Sequence, residues 1–228
     1  MSRRFIFIGA ASQLAIAVYK NLKNKEDIFL ISRSDKPAEI PAECHAMVSD
    51  YTPELVHQAI SKLPVREKSV ILFFNGMSDQ HPFFRLDAAD MEKIWRVNFH
   101  IPMLLTQMFL KKELAKDVRF IYLSSSRAEY GDKGIVLYSA TKAALKAAVK
   151  SLALEYAKIE KYFYIISLGF FDYGLINEIS NQKIKNLMDR SCIADFVEID
   201  ELVKCIELAE SNKSLTGSTL YCDNGYRG

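Results

Sequence analysis

Tyr138-Ser139-Ala140-Thr141-Lys142 sets a phenol and a primary ammonium four residues apart. On a helix, residues at that spacing share a face. An ammonium beside a phenol favours the phenolate and lowers the tyrosine pKa. A tyrosine tuned downward can exchange a proton with a carbonyl or alcohol oxygen near neutral pH. Spacing by itself selects little, because Tyr19-Lys20-Asn21-Leu22-Lys23 repeats it and reads as an ordinary helix surface. Context separates the two. Tyr138 follows a β-rich run ending at Leu123 and the serine run Ser124-Ser125-Ser126. It also begins a helix whose opening faces the carboxyl edge of the strands.

The elements that would position this pair alternate along the whole chain. Short β-rich runs fall at Phe5–Ile8, Ile28–Ser32, His45–Val48, Val70–Phe74, Phe120–Leu123, Tyr164–Ser167 and Thr219–Tyr221. Runs apolar nearly throughout suit strands covered on both faces. Between them lie helical patterns at Ser12–Leu22, Pro53–Lys62, Ala88–Ala115, Tyr138–Lys158 and Asp200–Ala209, with Thr52 as N-cap and Pro53 at the first helical position of the second. The alternation predicts an α/β fold, a Rossmann-like doubly wound, seven-stranded parallel sheet flanked by helices on both faces. Ligands bind such sheets beyond the carboxyl ends of the strands. Chemistry is therefore expected just after Ile8, Ser32, Phe74, Leu123 and Ser167. Residues 170–197 are the least regular stretch and read either as a flap over the site or as a surface helix pair.

The first residues admit two readings. Arg3 and Arg4 precede an apolar run from Phe5 to Val18, and Ala15-Ile16-Ala17 has a small-x-small pattern, the outline of a secretory signal peptide. The same residues form a strand, a turn at Gly9 and a helix starting near Ser12. Ser12 and Gln13 interrupt the apolar run, and removing residues 1–17 would delete the first strand, so the second reading is preferred. The 228 residues are expected to form one domain, 1–228. The net charge of +2 is carried by scattered basic residues, which argues against nucleic acid as a partner. No apolar run is long enough to cross a bilayer. Cys44, Cys192, Cys205 and Cys222 match no zinc or redox spacing and read as reduced thiols of a cytoplasmic protein. No metal site is expected.

Taken together, these motifs resemble those of the short-chain dehydrogenase/reductase family, from Phe5 to Tyr226. Ser125 lies thirteen residues before Tyr138, as the family's catalytic serine does, and Asn98 in Arg96-Val97-Asn98-Phe99 matches its helical asparagine. The stretch Leu215 to Tyr226 resembles the closing strand and turn, and Asp50 matches the acidic residue facing the adenine. The resemblance implies an oxidoreductase moving hydride between a nicotinamide cofactor and a carbonyl or alcohol substrate. Tyr138 would be the proton donor, Lys142 would lower its pKa and bind the nicotinamide ribose, Ser125 would hold the substrate oxygen, and Asn98 would hold a water relayed to Lys142. Gly9, Ser12, Gln13, Leu14, Arg33, Asp50, Asn75, Gly76, Tyr138, Lys142, Gly169 and Phe171 would bind the cofactor. A homodimer or homotetramer is implied through the two long helices.

Several positions depart from the family pattern. The phosphate loop reads Ile8-Gly9-Ala10-Ala11-Ser12-Gln13-Leu14-Ala15, with Gln13 and Ala15 where two glycines are usual. Gln13 either crowds the pyrophosphate or hydrogen-bonds it. The usual Asn-Asn-Ala-Gly is Phe73-Phe74-Asn75-Gly76, the Pro-Gly turn is Leu168-Gly169, and the threonine four residues beyond that glycine is Tyr173. The second strand ends in Ser32-Arg33-Ser34 with no acidic residue for ribose hydroxyls. These residues suit a 2′-phosphate, with charge-assisted bonds from Arg33, so NADP(H) is expected over NAD(H). The alternative reading is a non-catalytic or weakly active binding protein on the same fold, with an eroded glycine loop.

Overall fold

The computed structural model describes residues 3–22, 27–35, 40–79, 81–112, 115–173 and 181–228. Each expected β-rich run is a strand, with ends shifted by up to three residues: β1 (Arg3–Ile8), β2 (Ile28–Ser32), β3 (His45–Met47), β4 (Lys68–Phe73), β5 (Asp117–Ser125), β6 (Lys161–Leu168) and β7 (Thr219–Cys222). They form one sheet in the order β3-β2-β1-β4-β5-β6-β7. All pairs are parallel, with Phe7 opposite Leu30 on one side and Leu72 on the other. The winding direction reverses between β1 and β4, which opens a crevice at their carboxyl ends.

The helices are α1 (Gln13–Asn21), α2 (Pro53–Ile60), α3 (Ala88–Trp95), α4 (Ile101–Lys112), α5 (Arg127–Tyr130), α6 (Val136–Tyr156), α7 (Asn181–Met188) and α8 (Ile199–Ser211). Successive strand residues point to opposite faces, so each strand feeds two cores. Phe5, Phe7, Leu30, Leu72 and Ile121 pack with Val18 of α1 and Leu202, Val203 and Ile206 of α8. Ile6, Ile8, Ile71, Phe73 and Tyr122 pack with Val56 of α2, Leu105 and Phe109 of α4, and Leu145 and Val149 of α6. Each fully buried side chain of this size contributes about 1.5–3 kcal/mol relative to exposure. Ser12 caps α1 by accepting from the Ala15 amide at 3.1 Å, and Thr52 caps α2 by accepting from Leu55 at 3.3 Å.

The helix expected over Ala88–Ala115 is interrupted. A π-helical turn spans Arg96–His100, where the Ile101 amide donates to the Arg96 carbonyl five residues back. Pro102 supplies the reason. It has no N–H, so the carbonyl of Asn98, four residues earlier, is denied its α-helical donor and the ladder shifts register. Residues 113–114 of that expected helix lie outside the described residues. In the irregular stretch 170–197, α7 packs Leu187 against Phe170 and Tyr226 as a small third cluster. Residues 174–180 of that stretch lie outside the described residues.

At the carboxyl edge the tips of β5, β6 and β7 are knitted together. The Gly169 amide donates to the Cys222 carbonyl at 2.9 Å, and the Ser126 amide to the Leu168 carbonyl at 3.0 Å. Ser126 Oγ donates to the Asp223 carboxylate. A Cβ on Gly169 would fall 2.6 Å from Asp223 Cα, a contact that only backbone movement relieves. A Cβ on Gly76 would meet nothing within 4 Å. Gly169→Ala is therefore expected to cost about 1–3 kcal/mol, as overpacking does. Thermal unfolding should show a midpoint lowered by several degrees for Gly169→Ala and unchanged for Gly76→Ala.

Candidate active site

Above the β1–β4 crevice lies a cavity of about 450 Å³. Its wall runs from the start of α1 (Ser12, Gln13, Leu14), past the β4 tip (Asn75, Gly76), to the β5 tip and α6 (Ser125, Tyr138, Lys142) and on to Gly169 and Phe171. These expected site residues come together although they span the chain. Gly9, Arg33, Asp50 and Asn98 are not part of this wall. Gly9 forms the turn beneath it, with φ +83°, and a Cβ there would meet the Asn75 amide nitrogen at 3.1 Å. Close approach of two strand tips, as well as the turn itself, thus selects glycine.

Tyr138 and Lys142 lie one turn apart on α6, with the Lys142 ammonium 5.8 Å from the centre of the Tyr138 ring. Lys142 is buried. Its Nζ donates to the Leu123 carbonyl at 2.8 Å and to the Asn75 carbonyl at 3.4 Å. Carbonyls alone do not offset the loss of water around an ammonium, and burial lowers the Lys142 pKa to about 8. Ser125, at the end of β5, is buried, lines the same cavity as Tyr138, and its hydroxyl acts to lower the Tyr138 pKa.

The structure corrects one expectation about this pair. The Tyr138 pKa lies above its ordinary value, raised by burial and only partly offset by the Ser125 hydroxyl and the positive charge of Arg127. The offsetting charge belongs to Arg127 rather than to Lys142. The second Tyr/Lys pair shows why spacing was insufficient: α1 ends at Asn21, two residues before its lysine. Lys23 itself lies outside the described residues.

Asn98 is fully buried on the π turn, and its carboxamide does not reach Lys142. Its Oδ1 accepts from the Met77 amide at 2.8 Å, while Nδ2 donates to the Met77 carbonyl at 2.8 Å and to Thr141 Oγ1 at 3.0 Å. The side chain thus clamps the segment after β4 to the helix that bears Tyr138. Asp79, which sequence reasoning missed, completes the clamp. This buried carboxylate accepts from the amides of Leu137 at 3.0 Å and Tyr138 at 2.9 Å. It caps α6 from fifty-nine residues away. The cap position itself is Ile135, which has no side-chain acceptor; that lack was the only signal in the sequence that a distant group must serve.

At the far end of the crevice, the Ser32 hydroxyl is turned inward. It donates to the Ser34 carbonyl and shares a hydrogen bond with His45 Nε2, each at 2.7 Å, so it is not presented to a phosphate as expected. Arg33 is exposed and lies over the Tyr51 ring at 5.7 Å. Tyr51 is buried, with its hydroxyl donating to the Ile31 carbonyl at 3.4 Å and burial pushing its pKa up to about 12. Asp50 forms an ion pair with Arg96 and accepts from the Tyr51 amide at 2.8 Å.

The residues present fit a nicotinamide dinucleotide. Asn75 Oδ1 is buried beside the cavity without a hydrogen-bond partner among the described residues. The amide-bearing start of α1 faces the same space, as an anion requires. Ala15, where a glycine is usual, is fully buried in the core and does not line the cavity; Gln13 is exposed at its wall.

Comparison with known proteins places this fold. A family model described as Enoyl-(Acyl carrier protein) reductase matches residues 14–227. The chain belongs to the short-chain dehydrogenase/reductase family, and the relatives it matches are oxidoreductases. It is 27% identical over 151 residues to D-erythrulose reductase of Gallus gallus, covering 64% of this chain and 61% of that enzyme. It is 26% identical over 161 residues to L-rhamnose 1-dehydrogenase (NADP(+)) of Thermoplasma acidophilum, covering 66% and 61%. The chain thus spans about three fifths of the length of these two relatives. A gluconate 5-dehydrogenase from Burkholderia cenocepacia, solved with NADP and tartrate, shares the fold with a TM-score of 0.87 at 17% identity over 98% of this chain and 94% of that one. Among the described residues no helix is long and apolar enough to cross a membrane.

Burial of Lys142 has a measurable consequence. Between about pH 8 and the ordinary lysine pKa, the unfolded ammonium keeps its proton while the folded one has lost it. Stability therefore rises with pH across that window. Chemical denaturation from pH 7 to pH 10.5 should show this chain gaining about 3 kcal/mol relative to Lys142→Met. A constant difference between the two proteins would contradict the buried, depressed lysine.

Proposed function

We propose that this chain is an NADP(H)-dependent oxidoreductase that interconverts a small carbonyl compound and its alcohol, with Tyr138 as proton donor in reduction and acceptor in oxidation. The observation that carries this reading is that Tyr138, Ser125 and Lys142 line one cavity, with the Lys142 ammonium 5.8 Å from the centre of the phenol ring. The relatives' names support the substrate class, since they are reductases or dehydrogenases of polyhydroxylated compounds.

A bound nicotinamide dinucleotide would supply or accept the hydride. Gly9, the start of α1 (Ser12, Gln13, Leu14), Asn75, Gly76, Lys142, Gly169 and Phe171 would hold it, with Asp50 at the adenine end. Arg33 stands for the 2′-phosphate, with Ser34 exposed beside it and Ser32 committed elsewhere. Ser125 and Tyr138 both donate to the substrate oxygen as negative charge builds there, and the Tyr138 proton moves onto it. The Lys142 ammonium stabilises the phenolate left behind. Tyr138 holds its proton firmly before substrate arrives, which suits the acid role in reduction. Asn98 acts here as a positioning residue through its clamp on Met77 and Thr141. We take residues 1–228 as one catalytic domain that works as a homodimer or homotetramer in the cytoplasm.

Tyr138→Phe should lower turnover by about 10²–10⁴-fold, the usual scale of acid–base assistance. NADPH binding, followed by nicotinamide fluorescence, should stay within about twofold. Retained turnover would remove Tyr138 from the proton path. Arg33→Ala should weaken NADPH binding about tenfold or more while leaving NADH binding little changed, as loss of one charge-assisted contact of 1.5–3 kcal/mol implies. Equal losses for both cofactors, or tighter binding of NADH to the unaltered chain, would remove Arg33 from that role.

A further inference from the structure

The cavity wall carries a cation whose charge lowers the Tyr138 pKa but which meets no group in the proposed reaction. Arg127 begins α5, two residues beyond Ser125, and its amide donates to Ser125 Oγ at 3.3 Å, so both side chains spring from one turn. Its guanidinium lines the cavity, is 16% exposed, and lies over the Phe170 ring at 4.9 Å. Its Nε is buried without a hydrogen-bond partner among the described residues. The nearest carboxylate, Asp132, stands 3.6 Å away, beyond hydrogen-bond length, and is shared with Arg190 at 3.5 Å. One carboxylate between two guanidiniums leaves the cluster with a net positive charge. Tyr226 also lines the cavity, and its buried hydroxyl, whose pKa the Arg127 guanidinium acts to lower, has no hydrogen-bond partner of ordinary length among the described residues.

A guanidinium carries only donors, in a planar fork that matches a carboxylate. A largely desolvated cation with a distant, shared counter-ion gains from an anion that meets it directly. We infer that the cavity takes a small oxo- or hydroxy-carboxylic acid, its carboxylate bound by Arg127 with help from the Tyr226 hydroxyl, and its reacting carbon presented to Ser125 and Tyr138. The inference rests on the oxidoreductase reading above and specifies its substrate class. Asp132 then acts as the internal stand-in that the substrate carboxylate displaces from the guanidinium.

The test measures binding and turnover in the full chain with saturating NADPH or NADP. The probes are 3-hydroxybutanoate, 2-hydroxybutanoate and 4-oxopentanoate, each beside its methyl ester. At least one acid is expected to bind tenfold or more tightly than its ester by calorimetry. Arg127→Gln should bring that ratio to about one, and Arg127→Lys should keep part of it. Asp132→Asn should tighten the acid several-fold, because it removes the competing carboxylate; if Arg127 and Asp132 serve only to hold their loop together, Asp132→Asn weakens or does not change it. The inference is overturned if no acid in the series binds better than its ester, or if the preference survives Arg127→Gln with an unchanged circular dichroism spectrum. Turnover of esters without preference for acids sinks this inference alone, whereas failure to bind either nicotinamide cofactor sinks the reading beneath it.

Discussion

A buried ammonium organises the centre of this molecule. Lys142 reaches from α6 across the mouth of the sheet and donates to carbonyls at the tips of both β4 and β5. Removing an ammonium from water costs several kcal/mol, and two neutral carbonyls return only part of that. The site is therefore held in a state that favours either a deprotonated lysine or a nearby negative charge, and a phenolate one turn away is such a charge. Because the acceptors are main-chain atoms of two strands, the position of the cation is tied to the sheet and not to a flexible loop.

Everything around that cation serves to keep α6 in place over the strand tips. Asn98 ties Met77 to Thr141, Asp79 caps the first turn of α6, and Ser124 donates to the Lys142 carbonyl at 3.3 Å. Ser126 and Asp223 close the neighbouring edge, where Gly169 lets two backbones meet. These are polar, directional contacts set on an apolar frame. The frame fixes the layers, while the contacts decide where Tyr138 and Ser125 meet. The same turn that delivers Ser125 also brings Arg127 to the cavity wall.

Legibility in the sequence followed the range of the interaction. Strands apolar on both faces could be read directly, and the seven runs reappear with small shifts at their ends. Local caps such as Ser12 and Thr52 were equally legible, since donor and acceptor lie three residues apart. The break in the long helix at Arg96–His100 rests on Pro102, which has no N–H for the carbonyl four residues back, and apolar periodicity does not register that missing donor. Asp79 was missed because its partners, Leu137 and Tyr138, are far away in the chain and nothing nearby marks it. Ser32 was assigned to a phosphate although its hydroxyl answers to His45 on the neighbouring strand.

The amino-acid order by itself determined the fold class, the places of the seven strands along the chain, and the set of residues able to do chemistry. Those follow from covalent rules and short-range periodicity, which act within a few residues. Only the tertiary structure decided the electrostatic state of the pair at its centre. Spacing suggests a tyrosine pushed down by its lysine, whereas packing buries the lysine and half-buries the tyrosine, and the desolvation raises the tyrosine's pKa and lowers the lysine's to about 8. Desolvation depends on what every other element covers, and no window of sequence contains that information.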